Sequence, residues 1–234
     1  MKADNGEYSE IVHGKAKLSL SYAIEFVTPA ILKAIESGQY EWQEAWAAKK
    51  ILRPDDRVLE LGAGLGFLSS FVQSTTPVAK YLAVEADVRL LNHIRKTHIL
   101  NNIQNVELIN AAVTSSPEAL SSGYIDFTQN KAFWASGPET KYGVKTRVST
   151  ISLHDMVRDQ GVNVVLCDIE GGEWELLNEA DLSAIRALSM EIHPAITGRK
   201  KIASMFDQLH AQGLLYDSTA SNGQVVAFTR DFED

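Results

Sequence analysis

Glycines spaced by two between an apolar strand and a helix, with an acid on each side, are what a backbone cradle for a nucleotide-type cofactor requires. The chain carries this at Arg57-Val-Leu-Glu-Leu-Gly-Ala-Gly-Leu-Gly66: Glu60 precedes Gly62 by two, and Gly62, Ala63, Gly64 and Gly66 make the turn. A second apolar run, Tyr81-Leu-Ala-Val-Glu85, ends in an acid followed by Ala86. A carboxylate at such a strand tip can accept hydrogen bonds from both hydroxyls of a ribose; the other role open to Glu85 is capping a helix that starts near Asp87. Nicotinamide enzymes follow GxGxxG, whose third glycine lets the helix pack closely on the strand. Phe67 stands at that position here, which argues against a dinucleotide.

A second group of acids follows the apolar run Val164-Val-Leu-Cys167. Asp168-Ile-Glu170-Gly-Gly-Glu173 emerges at the same carboxyl edge as Gly62 and Glu85. Asp168 and Glu170, two apart in an extended segment, project roughly the same way, and sharing a site pushes one carboxyl pKa upward. Either acid can then remove a proton from an acceptor hydroxyl or orient it; Asp168 or Glu173 can equally serve as a cap for the next helix. Glu191 and His193, in Ser189-Met-Glu-Ile-His-Pro194, end the following strand. His193 is a candidate general base near neutral pH, or a hydrogen-bonded loop residue. These carboxylates have the chemistry to hold a divalent cation, but no additional Asp-Asn ligand pair accompanies them, so independence from metal is expected.

The elements that must position these residues alternate. Thr28 to Ile35 and Glu41 to Ile51 have helical spacing, with Thr28 and Pro29 in the cap and first-turn positions. A βαβαβ order follows: strand 57–61, helix 64–73, strand 80–85, helix 87–101 and strand 106–110. After an irregular segment come helix 152–158, strand 163–167, helix 172–178, strand 187–192 and helix 198–211. The run Gly213–Tyr216 and a strand from Gln224 to Thr229 close the chain, with Ser221-Asn-Gly223 as the turn between them. Strands apolar throughout, alternating with helices, predict an α/β fold with a mostly parallel central sheet and an antiparallel strand near the C-terminal edge. Residues 114–150 break the alternation, with Tyr124, Phe127, Phe133 and Trp134 among Ser, Gly and Pro. The stretches 124–128 and 144–149 have strand alternation and can pair, either as a lid that shapes the substrate site or as a surface loop.

The 234 residues fit one domain over 1–234, with 1–54 as an N-terminal helical cap and 114–150 as the excursion. Cys167 is the only cysteine, so no internal disulfide forms. No apolar stretch approaches the roughly 18 to 20 residues of a membrane span, and the polar N-terminus is unlike a signal peptide, so a cytoplasmic location is expected. A net charge of −8 disfavours nucleic acid as partner, although Arg199-Lys200-Lys201 is a local basic patch.

The pattern Glu60-x-Gly62-x-Gly64-x-Gly66 resembles motif I of S-adenosylmethionine-dependent methyltransferases, and more of the chain resembles the FkbM-type branch. The resemblance runs from Gly38-Gln-Tyr-Glu41 through the glycine turn, Val84-Glu-Ala86, Leu100-Asn-Asn102 and Asn105-Val-Glu-Leu-Ile-Asn-Ala-Ala-Val113. It continues to Val148-Ser-Thr-Ile-Ser-Leu-His-Asp155 and the discriminating Asp168-Ile-Glu-Gly-Gly-Glu173. The family form is Asp-x-Gly-Ala-Asn-x-Gly, from which Glu60 and Gly64 depart. The resemblance implies a Rossmann-like class I methyltransferase fold with helices on both sheet faces and S-adenosyl-L-methionine as cofactor. It further implies O-methylation of a sugar or other small-molecule hydroxyl. On it, Tyr40 and Glu41 close over the methionine part, Asn110 and Ala111 flank the adenine, and Asp168 borders the cofactor as well as the acceptor. The acceptor is then a small molecule, with neither membrane nor nucleic acid as partner, and a homo-oligomer is possible. The competing readings are an NAD(P)-dependent oxidoreductase and a noncatalytic S-adenosylmethionine-binding regulator.

Overall fold

The structure, a computed structural model, describes residues 7–13, 16–22, 27–130, 132, 135–137, 141–178 and 180–230. The chain begins with β1 (Glu7–His13), β2 (Ala16–Tyr22), α1 (Pro29–Glu36) and α2 (Trp42–Ile51). There follow β3 (Arg57–Leu61), α3 (Phe67–Thr75), β4 (Lys80–Glu85), α4 (Leu91–Leu100) and β5 (Glu107–Asn110). The excursion holds β6 (Ala112–Thr114), α5 (Pro117–Ser122), β7 (Tyr124–Gln129) and β8 (Val144–Ser152). The last third is α6 (Leu153–Gln160), β9 (Val164–Cys167), α7 (Glu173–Leu177), β10 (Ala187–Glu191), α8 (Pro194–Thr197), α9 (Arg199–Ala211), β11 (Leu215–Tyr216) and β12 (Val225–Thr229).

Seven strands form the central sheet in the order β11-β12-β10-β9-β3-β4-β5. β10, β9, β3, β4 and β5 pair in parallel, and β12 is antiparallel to both its neighbours. The strands alternate between two apolar layers. Val58, Ala83, Val164 and Leu166 join the layer of the hairpin and α1 to α4, whereas Leu59, Leu61, Leu82, Val165 and Cys167 join that of α6, α7 and α9. Helices therefore cover both faces of a mostly parallel sheet, as the alternation predicted.

From β3 the sheet grows through β4 to β5 and then restarts on the other side of β3 with β9. The crevice at the carboxyl ends of strands flanking such a reversal is where α/β sheets take ligands. Here Gly62 and Asp168 both line it.

Three expectations are corrected. Residues 7–22, placed in a helical cap, form an antiparallel hairpin. Its buried Ile11, Leu18 and Leu20 join the core, and β2 docks on α4 through Ser19 N donating to Asn101 Oδ1 at 2.8 Å and Ser21 N to Thr97 Oγ1 at 2.9 Å. The helix after the glycine turn begins at Phe67 rather than residue 64, because Gly62, Gly64 and Gly66 all take positive φ. The next helix begins at Leu91 rather than 87, because Asp87 Oδ1 accepts from Arg89 N in a local turn.

The two excursion strands pair antiparallel as β7 and β8, and β6 joins β8 in parallel to make a separate three-stranded sheet. Phe133 and Trp134 lie outside the described residues. The end of β7 is tied beside the second cradle strand: Gln129 Nε2 donates to Asp87 Oδ1 at 3.0 Å, and Arg89, paired with buried Asp87, donates to the Asn130 carbonyl at 2.7 Å. No helix of the described residues is long and apolar enough to cross a membrane.

Candidate active site

The glycine turn is shaped by what it must approach. A Cβ on Gly62, whose φ is +85°, would stand 1.8 Å from the Asp168 carbonyl oxygen, so only glycine lets β3 and β9 end side by side. A Cβ on Gly66 would meet Ile94 Cγ2 at 3.0 Å, so this glycine brings α4 against the start of α3. Phe67 beside it is fully buried, with the Tyr40 ring edge-on at 5.9 Å.

Glu85 closes one side of the turn. Its Oε2 accepts from Gly64 N at 2.9 Å and its Oε1 from Asp87 N at 2.7 Å, so it organises the turns that follow both cradle strands. Each carboxylate oxygen has a further lone pair to offer a hydroxyl. Burial raises its pKa to about 7, with the two backbone donors opposing. Asn110 Nδ2 donates to the Glu85 and Ala86 carbonyls at 2.8 and 3.2 Å, and buried Ala111 donates its N–H to the Glu85 carbonyl at 3.2 Å. These residues thus gather at one end of the crevice.

Glu60 stands under the other side. It is 2% exposed, and its Oε2 has no hydrogen-bond partner among the described residues. Burial lifts its pKa to about 8, opposed by the Tyr81 hydroxyl and reinforced by Glu85. Glu60 lines a pocket with Glu41, Glu44, Gly62, Asp168 and Glu191. Burial also holds the Glu41 carboxyl well above the usual range, and Glu44 rises to about 7. Tyr40 and Glu41 enter this edge just ahead of α2, where Glu41 adopts left-handed backbone at φ 48°.

Glu60 is neutral in the folded chain up to about pH 8 and ionises near pH 4.5 when unfolded. Between those values the folded state binds more protons, so stability falls as pH rises, by up to about 1.4 kcal/mol per unit from this one group. Glu60→Gln removes that share. The ligand-free variant is expected to melt above the parent at pH 8, with the gap closing toward pH 5; parallel Tm profiles would assign the titration elsewhere.

The third group surrounds His193. Its Nδ1 faces Glu173 Oε1 at 3.0 Å, while its Nε2 faces Glu170 Oε2, Asp168 Oδ1 and Glu191 Oε2 at 3.4, 3.7 and 3.9 Å. Burial alone would lower the imidazole pKa, but Glu173, Asp168 and Glu170 outweigh it and raise it to about 9. These acids favour the protonated ring as long as no other cation balances them, which disfavours His193 as a base among them. Glu170, raised to about 7 by burial against the opposing pull of His193, is poised for that work. Asp168 is also raised, by burial and then by Glu170 and Glu191.

Asp168 caps no helix, since α7 starts after Gly172 without a side-chain cap. Glu173 does brace the start of α7, its Oε1 accepting from Gly171 N at 3.0 Å. Sequence reasoning missed its hold on His193, twenty residues away, and missed Glu44, one helical turn beyond Glu41 on α2.

The profile of the methyltransferase FkbM domain matches residues 60–216, well over half of the chain. The chain belongs to the FkbM methyltransferase family. No curated protein matches it. Among solved structures, this methyltransferase is similar to the FkbM methyltransferase from Methylobacillus flagellatus KT, at 13% identity and TM-score 0.50, covering 86% of this chain and 52% of that one. It is also similar to the precorrin-6y C5,15-methyltransferase from Geobacter metallireducens GS-15, at 14% identity and TM-score 0.48 over 89% and 91% of the two chains. M. jannaschii TYW2, solved in complex with AdoMet, matches at 11% identity and TM-score 0.43 over 94% and 83%. In this methyltransferase the family match begins at Glu60, so Tyr40, Glu41 and Glu44 reach the crevice from outside the matched region.

Proposed function

We propose that this methyltransferase takes S-adenosylmethionine and methylates a hydroxyl oxygen of a small molecule. One observation carries the reading: a carboxylate group poised near neutrality, Glu170 with Asp168, lies across the Gly62 approach from a cradle whose far end is Glu85. A hydroxyl must lose its proton as it is methylated, and a base with a pKa near the working pH does this best.

The residues fit the cofactor. Glu60 offers an orphaned carboxylate oxygen in a pocket lined by further acids, a setting suited to an ammonium, and Glu85 has lone pairs for ribose hydroxyls. Asn110 and Ala111 adjoin Glu85 at the end read as the adenine side. When bound, S-adenosylmethionine supplies a methyl group on a sulfonium already activated for in-line displacement. The chain then has to align the acceptor, exclude water and take its proton, and alignment alone is worth up to about 7 to 11 kcal/mol in intramolecular reactions.

On this reading the protein is one domain working in the cytoplasm on a small-molecule acceptor. Methyl-labelled S-adenosylmethionine offered with sugars, other polyhydroxylated metabolites and amines is expected to label the hydroxyl compounds as ethers. Label on amines alone would overturn the acceptor class. A thermal shift with NAD rather than S-adenosylhomocysteine would restore the oxidoreductase reading; at a hundred times Kd a ligand stabilises by about 2.7 kcal/mol. Cofactor binding without transfer to any acceptor would favour a regulator.

A further inference from the structure

We propose that Asp168, Glu170, Glu191 and His193 form a binding site for a divalent cation of the Mn2+ type. Three carboxylate oxygens stand 3.4 to 3.9 Å from one imidazole nitrogen, His193 Nε2. Those separations exceed a normal hydrogen bond. They also exceed the roughly 3.0 Å between adjacent ligands of a six-coordinate ion with bonds of about 2.1 Å, so the side chains would draw in by under an ångström to bind one. The nearest ligand atoms of Asp168, Glu170 and His193 all lie within 4.8 Å of one another, and Asp168 and Glu191 form a second such group with Glu44.

The arrangement behind the cluster is the independent observation. Glu173 is fully buried, its Oε1 turned onto His193 Nδ1 at 3.0 Å and its Oε2 without a hydrogen-bond partner among the described residues. A buried carboxylate that takes one ring nitrogen fixes the ring and directs the other nitrogen outward, and metal-ligating histidines are held in this way. Here the outward nitrogen is aimed at three acids, and an ion bound there would take the place of the ring proton that they otherwise favour. Asp168 Oδ1, one of them, is sealed from solvent and likewise has no hydrogen-bond partner. One imidazole among several carboxylates is a donor set open to first-row divalent ions, and of these Mn2+ is the one best suited to a majority of carboxylate oxygens.

The elements explain how distant residues meet: Asp168 and Glu170 follow β9, and Glu191 and His193 end the adjacent parallel strand β10. An ion bound there has positions left for two oxygens of an acceptor, a role that rests on the hydroxyl-acceptor reading, whereas the site itself does not. The sequence reading weighed a cation on these carboxylates and, finding no additional Asp-Asn pair, expected independence from metal; it did not count His193 as a donor.

Loss of the free Mn2+ electron paramagnetic resonance signal measures binding to the full chain. Micromolar binding is expected, weakened at least tenfold in Asp168→Asn and in His193→Gln. Glu173→Gln, a positioning change, should weaken it less, and Asp159→Asn, exposed on α6, should leave it unchanged. An unchanged circular dichroism spectrum and a cooperative melt show that each variant is folded. Failure of the parent to take up Mn2+ at millimolar concentration, or an affinity equal to the parent's in Asp168→Asn and His193→Gln, would overturn the site. Methyl transfer to a hydroxyl without Mn2+ uptake would sink the ion and spare the proposed function; uptake without cofactor binding would do the reverse.

Discussion

Asp168→Asn is expected to lower kcat by about 10² to 10⁴, the range a positioned base contributes. Binding of S-adenosylhomocysteine should change by no more than a few fold. The two effects separate because Asp168 does two things with different atoms. Its backbone carbonyl packs where any Cβ on Gly62 would stand, and its N–H donates to the Leu61 carbonyl at 2.9 Å; asparagine keeps both. Its side chain faces Glu170, Glu191 and His193, and this is where asparagine removes the ionisable carboxyl. Glu170→Gln removes the neighbouring carboxyl, and the double variant should lose far less than the product of the two, as residues acting as a unit do. A kcat within threefold of the parent in both single variants would move proton removal away from this cluster.

The sheet was legible because its signals are local. β3 and β4 have the predicted bounds: β3 is an apolar run between a Pro-Asp-Asp break and a glycine turn, and β4 is an apolar run that ends in an acid. The hairpin was less so. Ala16, Leu18, Leu20 and Tyr22 do alternate, but β1 is largely polar at its start, and what fixes the pair is its docking on α4 some eighty residues away. The glycine motif pointed to the right turn and to part of its reason: Gly62 serves a close backbone approach, whereas Gly66 serves helix packing.

At the site, the acids were readable as residue types, and their protonation was not. Whether His193 is a base or a cation depends on Glu173, Asp168 and Glu170 converging on it from β9 and α7. Only the pairing of β9 with β10 brings these groups together. Spacing along the chain says nothing of a ring nitrogen's partner twenty residues away.

Glu85→Ala is expected to weaken S-adenosylhomocysteine binding about 100-fold. Two charge-assisted hydrogen bonds to ribose hydroxyls, each worth about 1.5 kcal/mol at the low end, sum to about 3 kcal/mol, which is two decades in Kd. Glu85 also holds Gly64 N and Asp87 N, so its removal loosens both turns and lowers ligand-free stability as well. Comparing ligands separates the two contributions. Turn loosening weakens every adenosine ligand alike, whereas lost ribose bonds cost nothing to an analogue lacking both ribose hydroxyls. The parent should therefore prefer S-adenosylhomocysteine over its 2′,3′-dideoxy analogue by about two decades, and Glu85→Ala should show almost no preference. An undiminished preference in the variant would remove Glu85 from the ribose and leave it as the carboxylate that organises the two turns.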